Sequence, residues 1–129
     1  MPEYTLIMNL KSTKSRSNSA IFSTDTTIVM GILNLTKDSF YDGNKYLNET
    51  QIISKCKKML DEGASIIDIG AQSSRPGATQ IKSREELRKL IPTIKLLKNN
   101  FKDITISIDT FWANTAKESI QAGANIIND

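Results

Sequence analysis

Short apolar runs recur along this sequence, and each ends at or beside a carboxylate or an amide side chain. The polar residues at these places are Asn34, Asp68, Asp109, Asn128 and Asp129. Carboxylates accept hydrogen bonds and amides both donate and accept them, so a pocket lined by both can pair with the polar edge of a small molecule. We predict that these side chains share one ligand pocket, because parallel strands bind ligands at their carboxyl ends.

An arginine in a short segment with proline and glycine adds a second kind of chemistry. The segment Gln72-Ser-Ser-Arg-Pro-Gly77 directly follows the second apolar run. The planar guanidinium of Arg75 donates two parallel hydrogen bonds, which suits a diphosphate or a carboxylate. The sequence therefore predicts an anion contact here, with a solvated surface arginine as the alternative.

Composition excludes several classes of site. The 129 residues include 17 Lys and Arg, 14 Asp and Glu, no His and one Cys, which is Cys56. Without His this stretch holds no His-based triad or His-ligated zinc, and a lone Cys forms no internal disulfide. No apolar run approaches the ~20 residues of a membrane-spanning helix, and the amino terminus lacks signal-peptide character. We expect a soluble, cytoplasmic protein that binds neither membrane nor nucleic acid.

Hydrophobic periodicity predicts the elements that position these groups. Four apolar runs predict strands at 28–33, 66–69, 104–108 and 126–127. Amphipathic segments predict helices at 49–62, 83–97 and 113–122. The expected helix signals are Asn48 as an N-cap, Gly63 and Gly123 at C-termini, a capping box at Ser83-Arg-Glu-Glu86, and a kink or break at Pro92.

Strands that alternate with helices predict an α/β fold with a parallel sheet and right-handed crossovers. The dinucleotide and Walker A glycine patterns are absent, which favours a (β/α)8 barrel over an open nucleotide-binding sheet. A whole barrel takes about 250 residues. We therefore predict the first half of a TIM barrel at 28–129, with about three βα units plus the start of strand 4. Residues 1–27 are predicted to be an N-terminal extension with a short strand within 4–10 and a surface connection.

Three linked segments of the sequence resemble the dihydropteroate synthase family. They are Met30-Gly-Ile-Leu-Asn-Leu-Thr-Lys-Asp-Ser-Phe-Tyr-Asp-Gly43, Gly63-Ala-Ser-Ile-Ile-Asp-Ile-Gly-Ala-Gln-Ser-Ser-Arg-Pro-Gly77, and Ile106-Ser-Ile-Asp-Thr110 with Gly123-Ala-Asn-Ile-Ile-Asn-Asp129. Their order and spacing match the pterin-binding barrel of that family. The resemblance implies a transferase of folate biosynthesis that uses Mg²⁺. It condenses 4-aminobenzoate with 6-hydroxymethyl-7,8-dihydropterin pyrophosphate to give 7,8-dihydropteroate and pyrophosphate.

The resemblance also implies a role for each candidate site residue. Pterin contacts are implied for a buried carboxylate and a carboxamide at Asp109 and Asn128. Asp68, a carboxylate in the middle of a strand, is expected either to contact the pterin or to be a buried hydrogen-bond anchor for neighbouring loops. Pyrophosphate contacts are implied for Arg75 and Asn34, and a magnesium contact for Asn34. Contacts with 4-aminobenzoate are implied for Ser74, Pro76 and Phe40. The residues implied in catalysis are Asp109, Arg75 and Asp42.

Two alternatives remain beside the synthase. One is a methyltetrahydrofolate-binding methyltransferase domain, which shares the pterin barrel but gives Arg75 no pyrophosphate leaving group to bind. The other is a truncated remnant that binds pterin without catalysis. Because the family's later strands supply further substrate contacts, we expect the 129-residue chain alone to be inactive. The resemblance further implies small-molecule substrates, no nucleic-acid or membrane partner, and a homodimer at full length.

Overall fold

A mostly parallel sheet organises the part of the chain that the structure describes. The structure is a computed structural model, and it describes residues 6–8, 27–36, 47–72, 77 and 80–129. The elements in chain order are β1 (Leu6–Met8), β2 (Ile28–Asn34), α1 (Glu49–Asp61), β3 (Ile66–Gly70), α2 (Ser83–Asn100), β4 (Ile106–Asp109), α3 (Ala113–Ala122) and β5 (Ile126–Asn128). The strands lie in the order β1-β2-β3-β4-β5; β1 is antiparallel to β2, and β2 to β5 are parallel. The predicted α/β class is confirmed.

Helix α1 begins and ends where its sequence signals predict. Asn48 accepts a hydrogen bond from the Gln51 backbone N–H at 2.8 Å, and the Gln51 side chain accepts one from the Asn48 backbone N–H at 3.0 Å. This reciprocal pair is a capping box, which satisfies backbone donors that the helix start leaves free. Gly63 follows the helix with a φ of +109°, a conformation that L side chains rarely adopt.

Helix α2 differs from its prediction in two ways. It begins at Ser83 with Lys82 as N-cap and no side-chain cap, so the predicted capping box is wrong. The Glu86 side chain is instead buried, where it accepts hydrogen bonds from Gln72 and Thr110. The helix also continues through Pro92 without a break, because that residue is exposed and water can bond the carbonyl its ring leaves free.

The strands are shifted slightly from their predicted bounds. Each of the three early parallel strands ends one residue later than predicted, at Asn34, Gly70 and Asp109. β4 starts at Ile106 instead of Ile104, because the Ile104 backbone N–H bonds the Phe101 carbonyl in a turn. β5 likewise extends to Asn128, and Gly123 ends α3 with a φ of +120°.

The two faces of the sheet have opposite character because side chains alternate along each strand. One face packs against the helices and is apolar; its fully buried side chains are Leu33, Ile67, Ile69, Ile106 and Ile108. Leu90, Ile94 and Leu97 of α2 and Cys56 of α1 complete this core. The opposite face carries the polar residues. Within the described residues, no helix is both long and apolar enough to cross a membrane.

Candidate functional site

Four strand-end residues lie side by side in one row across the sheet. Asn34 pairs with Gly70, Gly70 pairs with Asp109, and Asp109 pairs with Asn128. Because they are register partners of parallel strands, their side chains emerge on the same face at the same carboxyl edge. Gly70 leaves room in the row: an added Cβ would lie 3.6 Å from Asp109 Oδ2. The structure therefore brings together three residues that the sequence predicts to share a pocket.

A second row, two residues earlier on the same face, lies beneath the first. It pairs Ile32 with Asp68, Asp68 with Ser107, and Ser107 with Ile126. Asp68 is 5% exposed and Ser107 is 1% exposed. Asn128 Nδ2 donates to Asp68 Oδ2 over a long 3.4 Å, whereas Asp68 Oδ1 and Ser107 Oγ have no protein partner among the described residues. Buried oxygens without a partner are uncommon, which marks this row as a place for a ligand or water.

The two aspartates differ in exposure. A carboxylate that pairs with the pterin edge is expected to be buried, but Asp109 is exposed, whereas Asp68 is buried as its position in the middle of a strand predicts. Asp109 is the last residue of β4, and its carboxyl group is only partly enclosed. Partial burial raises the pKa of that carboxyl above its ordinary 3.8, and the charges of Asp68, Glu86 and Asp129 raise it further. Among the described residues, Asp109 therefore lies near three other carboxyl groups.

A hydrogen-bonded network behind the mouth was missed from sequence. Glu86 is fully buried and accepts hydrogen bonds from the Thr110 hydroxyl and from the Gln72 side-chain amide. The sequence interpretation placed Glu86 in a capping box, yet Glu86 shares a helical stripe with Leu90 and Leu97. A carboxylate on the apolar stripe of an amphipathic helix is the signal that could have found it.

The remaining predicted site residues lie outside the described part of the chain. They are Phe40, Asp42, Ser74, Arg75 and Pro76. Gln72 and Ile81, which flank the segment with Arg75, are described and bond each other. The Ile81 backbone N–H donates to Gln72 Oε1 at 3.0 Å, and Gln72 Nε2 donates to the Ile81 carbonyl at 2.8 Å. These two hydrogen bonds join the segment after β3 to the segment before α2.

The described residues offer limited ligands for a metal ion. They contain no group of three His, Cys, Asp or Glu side chains that could hold one. Asn34 Oδ1 accepts a hydrogen bond from the Thr36 backbone N–H at 2.9 Å, and an amide oxygen is a ligand type that Mg²⁺ accepts. Such a site fits Mg²⁺, which takes one or two protein oxygens together with substrate phosphate and water.

A parallel α/β sheet with polar side chains at its carboxyl edge is typical of ligand-binding proteins with a barrel or an open sheet, and comparison with known proteins identifies the family. The model of the family described as "Pterin binding enzyme" matches residues 30–129. The chain therefore belongs to the pterin-binding enzyme family.

Similar proteins occur in bacteria and eukaryotes. The chain is 47% identical over 105 residues to dihydropteroate synthase of Clostridium beijerinckii, and 46% identical over 111 residues to that of Bacillus subtilis. These matches cover 81% and 86% of the chain but 39% of each relative. A folic acid synthesis protein of Schizosaccharomyces pombe is 52% identical over 79% of the chain and 14% of its own length. The chain thus spans well under half of each of these relatives.

Solved structures agree with the sequence comparison. A Clostridium difficile dihydropteroate synthase with pteroic acid aligns with a TM-score of 0.70 and 50% identity, over 78% of this chain and 38% of that one. A Xanthomonas albilineans dihydropteroate synthase with 4-aminobenzoic acid aligns with a TM-score of 0.65 and 39% identity, over 78% and 37%. The described fold corresponds to the N-terminal part of their barrels. The predicted half-barrel is confirmed.

Proposed function

We propose that this chain supplies the pterin-binding half of a dihydropteroate synthase. That transferase condenses 4-aminobenzoate with 6-hydroxymethyl-7,8-dihydropterin pyrophosphate in folate biosynthesis. The observation that carries the proposal is the aligned pair Asp109 and Asn128 above the buried Asp68. The named relatives, all enzymes of folate synthesis, support the synthase over the methyltransferase alternative.

The pterin ring is recognised by complementary hydrogen bonds in this proposal. The Asp109 carboxylate accepts N–H donors from the 2-amino edge of the ring, at roughly twice the strength of a neutral hydrogen bond. Asp68 can only accept, so its contact holds the Asn128 Nδ2 toward the sheet and leaves Asn128 Oδ1 available to the ligand. The unpaired Asp68 Oδ1 and Ser107 Oγ then gain partners, either from the ring or from a water beneath it.

The reaction that we propose needs no protein nucleophile. The bond between the pterin methylene carbon and the pyrophosphate oxygen breaks, and its electron pair leaves with pyrophosphate. The nitrogen of 4-aminobenzoate then donates its lone pair to that carbon and loses a proton. Asp109 stabilises the positive charge that develops on the ring. Excess negative charge at the mouth favours a cationic transition state in the same way.

The leaving group requires cations near the same edge. Arg75, in the segment after β3, and Asp42, in the segment after β2, are proposed to act at the pyrophosphate and at its metal. Asn34 Oδ1 would hold Mg²⁺ together with phosphate oxygens, and the ion would neutralise the charge of the departing pyrophosphate. Ser74, Pro76 and Phe40 are proposed to contact 4-aminobenzoate.

Binding of the pterin substrate tests the recognition step directly. Calorimetric titration of the 129-residue chain with pterin pyrophosphate should give saturable binding, and Asp109→Asn should weaken it by at least about tenfold. Asp103→Asn, in the exposed turn before β4, is the matched control and should bind as the unchanged chain does. Equal affinity of Asp109→Asn and the unchanged chain would contradict the proposed pterin contact.

A chimaera tests the whole reaction. Residues 30–129 would replace the matching segment of the Bacillus subtilis enzyme, so that the rest of the barrel is present. We expect the chimaera to form dihydropteroate and the 129-residue chain alone to be inactive, because the later strands complete the pocket. A folded but inactive chimaera would favour the non-catalytic remnant, and turnover by the chain alone would refute its inactivity.

The location and assembly of the full-length enzyme extend the proposal. We propose a cytoplasmic homodimer whose ligands are small molecules. Light scattering of the chimaera measures its mass, and a monomeric chimaera that is fully active would refute the homodimer.

A further inference from the structure

Glu86 is the most deeply enclosed carboxyl group in the described chain, at 0% exposure. Acidic side chains are almost never fully buried unless they are paired. Both of its oxygens have partners: Oε1 accepts from the Thr110 hydroxyl, and Oε2 accepts from Gln72 Nε2 at 3.0 Å. These partners follow different strands, β3 and β4. Glu86 therefore connects two strand ends from the helix between them.

The Gln72 branch continues to the backbone before α2. Gln72 Nε2 donates both to Glu86 and to the Ile81 carbonyl, while Gln72 Oε1 accepts from the Ile81 N–H. A side-chain amide with these three bonds has a defined orientation, because exchanging its oxygen and nitrogen would break all three. The Ile81 backbone and the carboxyl group of Glu86 therefore fix the orientation of Gln72 together.

The Thr110 branch fixes the end of β4. The Thr110 backbone N–H donates to the Asn128 carbonyl at 3.1 Å, and its hydroxyl accepts from the Trp112 backbone N–H at 3.1 Å. With its hydroxyl proton given to Glu86, every polar atom of the Thr110 side chain is engaged. Asp109 immediately precedes Thr110, so its backbone position depends on these bonds.

The two branches meet at Trp112. Its indole N–H donates to the Ile81 carbonyl at 3.1 Å, the same carbonyl that accepts from Gln72. The result is a closed loop of hydrogen bonds, which we call the Glu86 network; its members are Gln72, Ile81, Glu86, Thr110 and Trp112. A closed network resists displacement of any one member, because moving it strains bonds on both sides.

We propose that Glu86 is a positioning residue that holds the ends of β3 and β4 in register and so places Asp109 in the mouth. The inference deepens the proposed function, on which its binding consequence rests. Glu86 is buried and does not touch the ligand; it acts through Thr110 and Gln72. Its charge also acts on Asp109 directly, since Asp68, Glu86 and Asp129 are the charged groups that raise the pKa of Asp109 beyond the effect of burial.

Two opposite substitutions test the network. Glu86→Gln keeps an oxygen for Thr110 but turns an N–H toward the N–H of Gln72, so one hydrogen bond becomes a clash of donors. Gln72→Glu places two carboxyl groups in contact. Each should shift the emission of Trp112, the only Trp of the chain, and speed hydrogen exchange at the Ile81 amide. Glu85→Gln, the exposed neighbour on α2, is the matched control and should change neither.

The double variant Gln72→Glu with Glu86→Gln is the decisive measurement. It restores the donor–acceptor pair between positions 72 and 86 but leaves a carboxylate oxygen facing the Ile81 carbonyl, to which Gln72 Nε2 donates in the unchanged chain. We expect pterin affinity about tenfold weaker in each single variant and only partly recovered in the double variant. A double variant no better than either single one would overturn the proposal.

Titration of the Asp109 carboxyl by NMR distinguishes an effect of Glu86 on Asp109 from a general loss of stability. Glu86→Gln should lower the Asp109 pKa, because it removes one negative charge, whereas Glu85→Gln should leave it unchanged. An unchanged Asp109 pKa and unchanged Trp112 emission in folded Glu86→Gln would refute the inference. If the unchanged chain binds no pterin, the proposed function fails, while the Trp112, Ile81 and Asp109 signals still decide the role of Glu86.

Discussion

Asp68 and Asp109 have the same side chain but different properties, because they lie at different positions in two adjacent strands. Asp68 lies in the middle of β3, is 5% exposed and bonds Asn128. Asp109 lies at the end of β4, is exposed, and sits among carboxyl groups that raise its pKa. The buried aspartate is suited to positioning, whereas the exposed one can meet a ligand. Partial burial and the neighbouring carboxyl groups raise the pKa of Asp109, so ionising it costs folding free energy, as is common at functional sites.

Removing the charge of Asp109 should therefore stabilise the folded chain. Its pKa in the folded state lies above 3.8, so the folded chain binds this proton more tightly than the unfolded chain does. The cost of ionisation is absent below about pH 3.8, grows as the pH rises through the folded pKa, and stays constant above it. We expect Asp109→Asn to raise the free energy of unfolding at pH 7 and not at pH 3, as measured by urea denaturation.

Asp103→Asn is the control for this measurement, because Asp103 is exposed in the turn before β4. Destabilisation by Asp109→Asn at neutral pH would show that Asp109 makes a favourable contact in the fold. That contact would outweigh its repulsion by the neighbouring carboxyl groups.

At the scale of elements, the packing of α1 on β2 depends on one residue without a side chain. A Cβ at Gly31 would lie 2.7 Å from Met59 Sδ, and 3.2 Å from both Met59 Cβ and Ile67 Cδ1. Real Cβ atoms are essentially never found closer than 3.0 Å to another heavy atom. The strand and the helix therefore approach as closely as they do because position 31 is glycine.

Gly31→Ala should lower the free energy of unfolding by about 1–3 kcal/mol, the usual cost of overpacking a core. Thermal or urea unfolding measures it. Gly70→Ala is the matched control in the next strand, since its Cβ would make ordinary contacts of 3.6 Å with Asp109.

A second variant tests whether the clash is with Met59. Shortening that side chain by Met59→Ala should recover part of the loss in the Gly31→Ala background. Strictly additive losses in the double variant would contradict a direct contact.

The whole molecule separates packing from chemistry by the two faces of its sheet. Helices α1 and α2 cover the apolar face, and the polar rows occupy the other. Cys56 belongs to the packing side: it is 0% exposed, and burial raises the pKa of its thiol to about 12. The thiolate is the reactive form, so a buried thiol with this pKa is inert.

Alkylation of Cys56 consequently reports global unfolding. At about pH 8.5, the ordinary pKa of a free thiol, we expect iodoacetamide to label the folded chain very slowly and the urea-unfolded chain rapidly. Mass spectrometry follows the reaction, and the single Cys makes the assignment unambiguous. Equally fast labelling without urea would show that α1 opens from the sheet under native conditions.

Local patterns in the sequence were sufficient for the order of strands and helices, the half-barrel and the pocket edge. Periodicity predicts these features because the spacing of residues along a helix or strand decides which side chains lie on the same face. The N-cap at Asn48 was recognisable for the same reason. The capping box predicted at Ser83 was wrong because Glu86 bonds Gln72 and Thr110 instead.

Tertiary structure alone decided that Asp109 is exposed and which residues hold the ends of β3 and β4 in place. Glu86 bonds Gln72 and Thr110, which are 14 and 24 residues away along the chain, so no local pattern contains the network. The alignment of Asn34, Gly70, Asp109 and Asn128 likewise depends on the register of three strand pairs. Register is set by how each helix packs as it returns the chain to the sheet, and that packing is a property of the folded molecule.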